Sequence, residues 1–253
     1  MKFENIRRLL SFERRAVDDY KMISDGDKIA VGVSGGKDSL ALLAVMCDLR
    51  RFYPQKFEVC AITLDMGFEG SDMSALENFY KELGIEYKIV KTQLAEIIFD
   101  VRKESNPCSL CARMRRGILH DTAKEMGCNK IALGHHFDDV VDTFIMNLFN
   151  EGRIGTFSPV TFLDRKQITM IRPLVLTPEK DIKYFVRHND IPVTKSLCPE
   201  DKNTDREKYK LMLAEMEKTN EGIRHRIFGA IKKAGLDGYA TDASEKQTEE
   251  INE

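Results

Sequence analysis

No tryptophan occurs among the 253 residues, and no apolar run approaches the roughly 20 residues that a membrane-spanning helix needs. The opening Met-Lys-Phe-Glu-Asn-Ile-Arg-Arg lacks the apolar core of a secretory signal. A cytoplasmic protein without a membrane partner is therefore expected. The six cysteines are too few and too irregular for a disulfide scaffold, so free thiols or metal thiolates are expected. There is no second C-x-x-C, no C-x-x-C-H and no internal repeat. At this length, with 32% charged and 42% hydrophobic residues, the chain can build one large α/β domain, or one domain with a small appendage.

A large basic excess is also missing, since the net charge is -2. That figure averages unlike regions: residues 237–253 hold six acids and one Lys, which leaves the remainder weakly basic. The pairs Arg7-Arg8 and Arg14-Arg15, and the trio Arg113, Arg115 and Arg116, are the candidates for phosphate contact. Each is equally readable as a solvated helix face.

What is present is a strand, a glycine turn and a helix start at Asp27-Lys-Ile-Ala-Val-Gly-Val-Ser-Gly-Gly-Lys-Asp-Ser39. The β-branched run from Ile29 to Val33 predicts a buried strand, and Leu40, Leu42, Leu43 and Val45 open a helical period. Ser34, Gly35, Gly36, Lys37 and Ser39 could converge on an anion at the helix N-terminus. The four-residue spacing of a Walker A loop is absent. A tight βα connection would use the same glycines.

Residues 1–24 read as an amphipathic helix, residues 25–195 as the α/β domain, 196–236 as a helical C-terminal region and 237–253 as a disordered acidic tail. Within the domain the spacing predicts strands over 56–65, 86–90, 130–134 and 168–174. Ser71 is expected to cap a helix that ends at Gly84. The helix after the C-x-x-C is expected over 112–126, and Pro178 opens another. Alternating strands and helices imply a parallel, doubly wound, Rossmann-like sheet with ligands outside the carboxyl ends of its strands. The glycine loop, Asp65 and Gly134 all fall at that edge.

Cys108 and Cys111 form a C-x-x-C that suits a redox dithiol, half a zinc site or half a cluster site. Cys198, in a loop, is a third candidate thiolate, and three thiolates suit a [4Fe-4S] cluster with one open iron. Cys47, Cys60 and Cys128 read as buried, inert thiols. His135-His136 with Asp138-Asp139 reads either as an acid/base or metal set, or as one His and one Asp capping a helix.

Ser34-Gly-Gly-Lys-Asp-Ser39 resembles the PP-loop of the N-type ATP pyrophosphatases. With Cys108-Ser-Leu-Cys-Ala-Arg-Met-Arg-Arg-Gly-Ile-Leu119 and Gly134-His-His-Phe-Asp-Asp139, the chain resembles the tRNA 2-thiocytidine synthetase (TtcA-like) branch. Ile171-Arg-Pro-Leu174, Pro178-Glu-Lys-Asp181 and the Cys198 loop extend the resemblance over residues 4–215.

The resemblance implies a HUP-like sheet and a sulfurtransferase that uses ATP, Mg²⁺ and a [4Fe-4S] cluster to replace a pyrimidine C2 oxygen in tRNA. Ser34, Gly35, Gly36, Lys37 and Ser39 would hold the ATP phosphates, Asp38 would face Mg²⁺, and Asp65, Gly134 and His135 would flank the adenosine. Cys108, Cys111 and Cys198 would hold the cluster, with Arg113, Arg115 and Arg116 between it and RNA. Lys37, Asp38, Asp138, Asp139 and Arg115 are the catalytic candidates. A sulfur donor such as a cysteine desulfurase, and a homodimer, are further expectations. Thiolation of uridine is the near rival, and a PP-loop adenylating ligase with structural zinc the more distant one; a non-catalytic nucleotide or RNA sensor is the third. Asp142 stands where the family usually has Glu, and Lys195 where many relatives carry Cys.

Overall fold

The structure, a computed structural model, describes residues 2–102, 107–200 and 205–240. Its centre is β1 (Asp27–Val33), paired in parallel with β2 (Phe57–Asp65) on one side and β4 (Lys130–Ala132) on the other. β3 (Glu86–Lys91) extends β2, and β6 (Ile168–Ile171) extends β4, both in parallel. The strand order is β3-β2-β1-β4-β6-β5. The reversal of winding at β1 and β4 opens a crevice at their carboxyl ends, beside the glycine loop and Gly134. β5 (Val160–Leu163) runs antiparallel at the edge. Its four residues lie only partly buried and lacked a period long enough to read.

Helix α2 (Lys37–Leu49) carries the core: every residue from Ser39 to Leu49 except Asp48 is buried. A helix apolar almost all round must be covered on all sides. The sheet, α1 (Arg7–Asp19) and α6 (Glu179–His188) cover it. α1 buries Leu9, Glu13, Ala16 and Val17 on one stripe. Its arginines face out, and three of the four are paired: Arg8 with Asp181 at 2.9 Å, Arg14 with Asp18 at 3.5 Å and Arg15 with Asp19 at 3.6 Å. These charges are therefore largely spent within the chain, whereas Arg113, Arg115 and Arg116 are exposed on α4 (Pro107–Glu125).

Several boundaries differ from the sequence expectation. α4 starts at Pro107, so Cys108 and Cys111 stand in its first two turns rather than ahead of the helix. Ser71 does not cap α3 (Ser74–Leu83); its hydroxyl donates to Asp65 Oδ1 at 2.9 Å. Gly84 does close that helix, in the left-handed region at φ 63°.

α7 (Asp205–Thr219) and α8 (Ile223–Lys233) pack on α5 (Phe137–Asn150), and Tyr209, Leu213, Phe228 and Ile231 join the same core as the sheet. The chain beyond 236 does not loosen at once. Leu236–Gly238 forms a short 3-10 turn, Asp237 accepts a hydrogen bond from the Thr156 amide at 2.6 Å, and Tyr239 is fully buried against Tyr20 and Phe228. The expected structureless tail thus begins no earlier than 241, and residues 241–253 lie outside the described ones. No helix among the described residues is long and apolar enough to cross a membrane.

Candidate active site

β1 delivers the chain to Ser34 at the sheet's carboxyl edge, and Gly35 turns it with φ +82°. A Cβ on Gly35 would stand 2.0 Å from Thr194 Oγ1, so glycine is required there by conformation and by contact. Thr194 donates its amide to the Gly35 carbonyl at 3.0 Å, which ties the loop carrying Cys198 to the glycine loop. Inside the turn, Ser39 Oγ donates to the Gly36 carbonyl at 2.9 Å and accepts from the Ser34 amide at 3.2 Å. Ser34 itself is exposed. Gly134, after β4, closes the other wall.

The Lys37 ammonium lies between Asp38 Oδ2, at 2.9 Å, and Glu179 Oε1, at 3.0 Å. Burial works against that ammonium, but the two carboxylates hold its pKa above the ordinary value. Glu179 also takes Lys183 at 2.9 Å and Lys210 at 3.2 Å. Burial would raise its carboxyl; its three ammonium partners instead pull it well below the usual carboxylate range. Asp38 Oδ1 is buried without a hydrogen-bond partner among the described residues, and His136 Nε2 stands 3.7 Å from it.

His136 and Asp139 close a capping box at the start of α5: the His136 amide donates to Asp139 Oδ2 at 3.0 Å, and the Asp139 amide donates to His136 Nδ1 at 3.4 Å. Asp138 Oδ2 accepts the Glu179 amide at 2.7 Å and so joins α5 to α6. Burial acts to raise the Asp139 carboxyl, yet His136, Arg206 and His135 hold it below its ordinary value. His135 is packed 4.9 Å from Phe157, and burial pushes its pKa down to about 4, so its ring is neutral at pH 7. Asp65 ends β2 at the same edge and accepts from the Gly67 amide at 3.0 Å.

Cys108 is exposed and Cys111 and Cys198 are half-buried. Burial raises the Cys111 thiol; Arg115 opposes that rise, while Cys198 and Cys108 add to it. Among the described residues no group of three or more His, Cys, Asp or Glu side chains is placed to hold a metal ion. The donor set nevertheless fits a thiolate-bound cluster: three accessible sulfurs and a guanidinium that favours the thiolate. The remaining cysteines are buried, with Cys60 Sγ 3.4 Å from Cys128 Sγ and Cys47 pushed up to about 12 by burial.

This arrangement of a glycine turn, a cation and an acid at the crevice agrees with a match of residues 6–212 to the PP-loop domain. The chain belongs to the PP-loop family. Within it, the tRNA 2-thiocytidine synthetase (TtcA-like) branch is the one it joins. It is 40% identical over 220 residues to the tRNA-cytidine(32) 2-sulfurtransferase of Geobacter sulfurreducens, covering 86% of each chain. To that of Ralstonia pickettii it is 41% identical over 227 residues, which is 89% of this chain and 72% of the relative. Among solved structures it is similar to the U34-tRNA thiolase NcsA from Methanococcus maripaludis with its [4Fe-4S] cluster. That likeness has a TM-score of 0.72 at 27% identity, over 89% of this chain and 78% of the other.

Four residues of this PP-loop protein escaped the sequence reading. Glu179 lies in the Pro178-Glu-Lys-Asp181 stretch that shares the family resemblance, but no role for it was legible there. Arg206 and Lys210, one helical turn apart on α7, reach Asp139 at 3.6 Å and Glu179 at 3.2 Å, and Arg224 on α8 reaches Asp142 at 2.6 Å and Asp138 at 3.6 Å. Their i, i+4 spacing was legible, but the acids they face lie more than 30 positions away. Asp142 is buried and meets Arg224, so the carboxylate at this position serves the joint between α5 and α8.

Proposed function

We propose that this protein is an ATP-dependent tRNA sulfurtransferase that adenylates the C2 oxygen of an anticodon-loop cytidine and replaces it with sulfur. The observation that carries the reading is the tie between Thr194 and Gly35, which sets the Cys198 loop against the glycine loop. An activating half and a sulfur-bearing half are then one site. The names of the relatives, and the cluster named with the solved thiolase, support the same assignment.

In this reading the C2 oxygen attacks the α-phosphorus of ATP and pyrophosphate leaves. Lys37 and the amides of the first turn of α2 neutralise the charge that develops on the leaving group. The unpartnered Asp38 Oδ1 suits a Mg²⁺ ion, which is commonly bound by one or two carboxylates together with substrate phosphates. Neutral His135 contributes shape and a hydrogen bond beside Gly134 rather than charge. Asp138 and Asp139 keep the end of α5 in place, and Arg115 favours the thiolate of Cys111.

Cys108, Cys111 and Cys198 would hold a [4Fe-4S] cluster, which would supply a binding site for the sulfur to be transferred. AMP leaves once sulfur occupies C2. The target base must be splayed from an RNA loop to enter, with Arg113 and Arg116 exposed on α4 to meet phosphates. A sulfur donor such as a cysteine desulfurase is required, and a second copy of the chain is the expected assembly.

Anaerobic purification should give a brown protein with about four iron and four sulfide per chain. A colourless zinc protein would favour the adenylating-ligase reading instead. RNA-dependent pyrophosphate release should vanish in Asp38→Ala, and an active variant would defeat the Mg²⁺ role. A second reading, thiolation of a uridine, is favoured by the activity named for the archaeal structure. Mass spectrometry of tRNA nucleosides from cells lacking the protein separates the two, because the missing thionucleoside names the base.

A further inference from the structure

Two ammonium groups share one carboxylate oxygen beside the glycine loop. Lys37 Nζ lies 3.0 Å and Lys210 Nζ 3.2 Å from Glu179 Oε1, so the two cations are no farther apart than those distances summed. Lys183 takes the other oxygen, Oε2, at 2.9 Å. Lys37 comes from the first turn of α2 and Lys210 from the middle of α7, so a distant part of the chain brings its charge to the loop. Two like charges this close repel, and a ligand carrying several adjacent negative charges would stabilise both.

We propose that Lys210 is a second phosphate-binding cation, which with Lys37 holds the β- and γ-phosphates of ATP and then the departing pyrophosphate. The inference rests on the glycine loop being the phosphate site argued above. Glu179 is built to release both lysines. Its partner Lys183 remains when they turn to the phosphates, and its place at the N-terminus of α6 favours its charge, so it is not left buried and unpaired. Lys210 is also well anchored from behind. Its carbonyl accepts from Arg224 Nη2 at 3.3 Å, and Arg206 one turn earlier is held by Asp139 and by Thr143. The ammonium can therefore move while its backbone stays.

The test is calorimetric titration of the full chain with inorganic pyrophosphate, with a non-hydrolysable ATP analogue and with AMP, each with Mg²⁺. Lys210→Met should weaken pyrophosphate and the ATP analogue about tenfold and leave AMP unchanged, because AMP lacks the two phosphates concerned. Lys210→Arg should restore most of the loss. Lys183→Met, which leaves Glu179 without the partner that remains when the other two lysines turn away, should weaken pyrophosphate less than Lys210→Met does and leave AMP unchanged. Thermal unfolding of each variant separates lost contact from lost fold. Unchanged pyrophosphate affinity in Lys210→Met, or an equal loss in Lys183→Met or for AMP, overturns the inference. If Lys37→Met also binds pyrophosphate normally, the phosphate reading of the loop fails with it; if Lys37→Met is weak and Lys210→Met is not, only the role of Lys210 is lost.

Discussion

Gly134 lies against the backbone of Asp38: a Cβ at this position would stand 3.0 Å from both the Asp38 carbonyl carbon and the Ser39 nitrogen. The chain leaving β4 and the first turn of α2 are therefore in direct backbone contact at the crevice. Neither side can yield by turning a side chain, since the atoms that clash are main-chain atoms. Gly134→Ala should push the glycine loop out of register. The expected loss is about 1–3 kcal/mol of stability, with a larger proportional loss of ATP affinity. Urea unfolding and nucleotide titration check this, and a variant that matches the parent in both would refute the contact.

Acid should weaken the fold through His135. Burial holds this ring neutral with a pKa of about 4, against 6.5 for a free histidine, among Asp139, Arg172, Arg206 and His136. Between those values the unfolded chain binds the proton and the folded chain does not, so stability rises with pH there and is lost as pH falls from about 6.5 towards 4. The shift corresponds to at most roughly 3 kcal/mol. Glu13 works in the opposite sense: fully buried with both oxygens unpartnered, its carboxyl is raised well above the ordinary range, so its contribution falls as pH climbs past that range. The difference between the parent and His135→Gln isolates the histidine. The variant should show the shallower acid limb, and parallel limbs would rule the burial argument out.

Much of this arrangement was readable because it is local. The strand into Ser34, the glycine turn, the helix cap at His136 and the placement of Asp65 and Gly134 at one sheet edge follow from residue type and periodicity over a few positions. The pairing of α1's arginines with Asp18 and Asp19 was legible in the same way, from i, i+4 spacing. What could not be read is non-local. The four-residue β5 acquires its identity only by pairing with β6, and Tyr239 looks like part of a polar tail until Tyr20 and Phe228 are seen to cover it. Glu179, Lys210 and Arg224 are ordinary surface-type residues in sequence, and only the docking of α6, α7 and α8 makes them neighbours of Lys37 and Asp138.

Arg224 should be among the most sensitive positions for folding. Its guanidinium donates to Asp142 Oδ1 at 2.6 Å and stands 3.6 Å from Asp138, while Asp142 is 2% exposed. Burial raises the Asp142 carboxyl and Arg224 opposes that rise. Removing the cation leaves a buried carboxyl with no charge partner, so Arg224→Met should cost about 3–5 kcal/mol. Asp142→Asn in the same chain should recover part of it, since the orphaned charge is then gone. Denaturant unfolding of the two single variants and the double variant measures the coupling. A double variant no better than Arg224→Met would mean that Arg224 acts by packing or through Asp138 and not through Asp142.

The cysteines divide by environment, and iron content should divide the same way. Cys198 is half-buried in the loop that Thr194 ties to Gly35, and it acts electrostatically on Cys111. Cys128 is buried just before the amino end of β4, with its sulfur 3.4 Å from Cys60. After anaerobic reconstitution, Cys108→Ala, Cys111→Ala and Cys198→Ala should each retain little iron, because two thiolates cannot hold the cluster against exchange. Cys128→Ala should bind iron like the parent and show only a packing loss, on the order of 1 kcal/mol. Arg115→Met should stand between these. It keeps every sulfur but loses the guanidinium that opposes the rise of the Cys111 thiol pKa, so its iron uptake should need higher pH than the parent's. Iron retained in Cys198→Ala would show that the third ligand lies elsewhere, and a pH profile of uptake unchanged in Arg115→Met would remove Arg115 from the site.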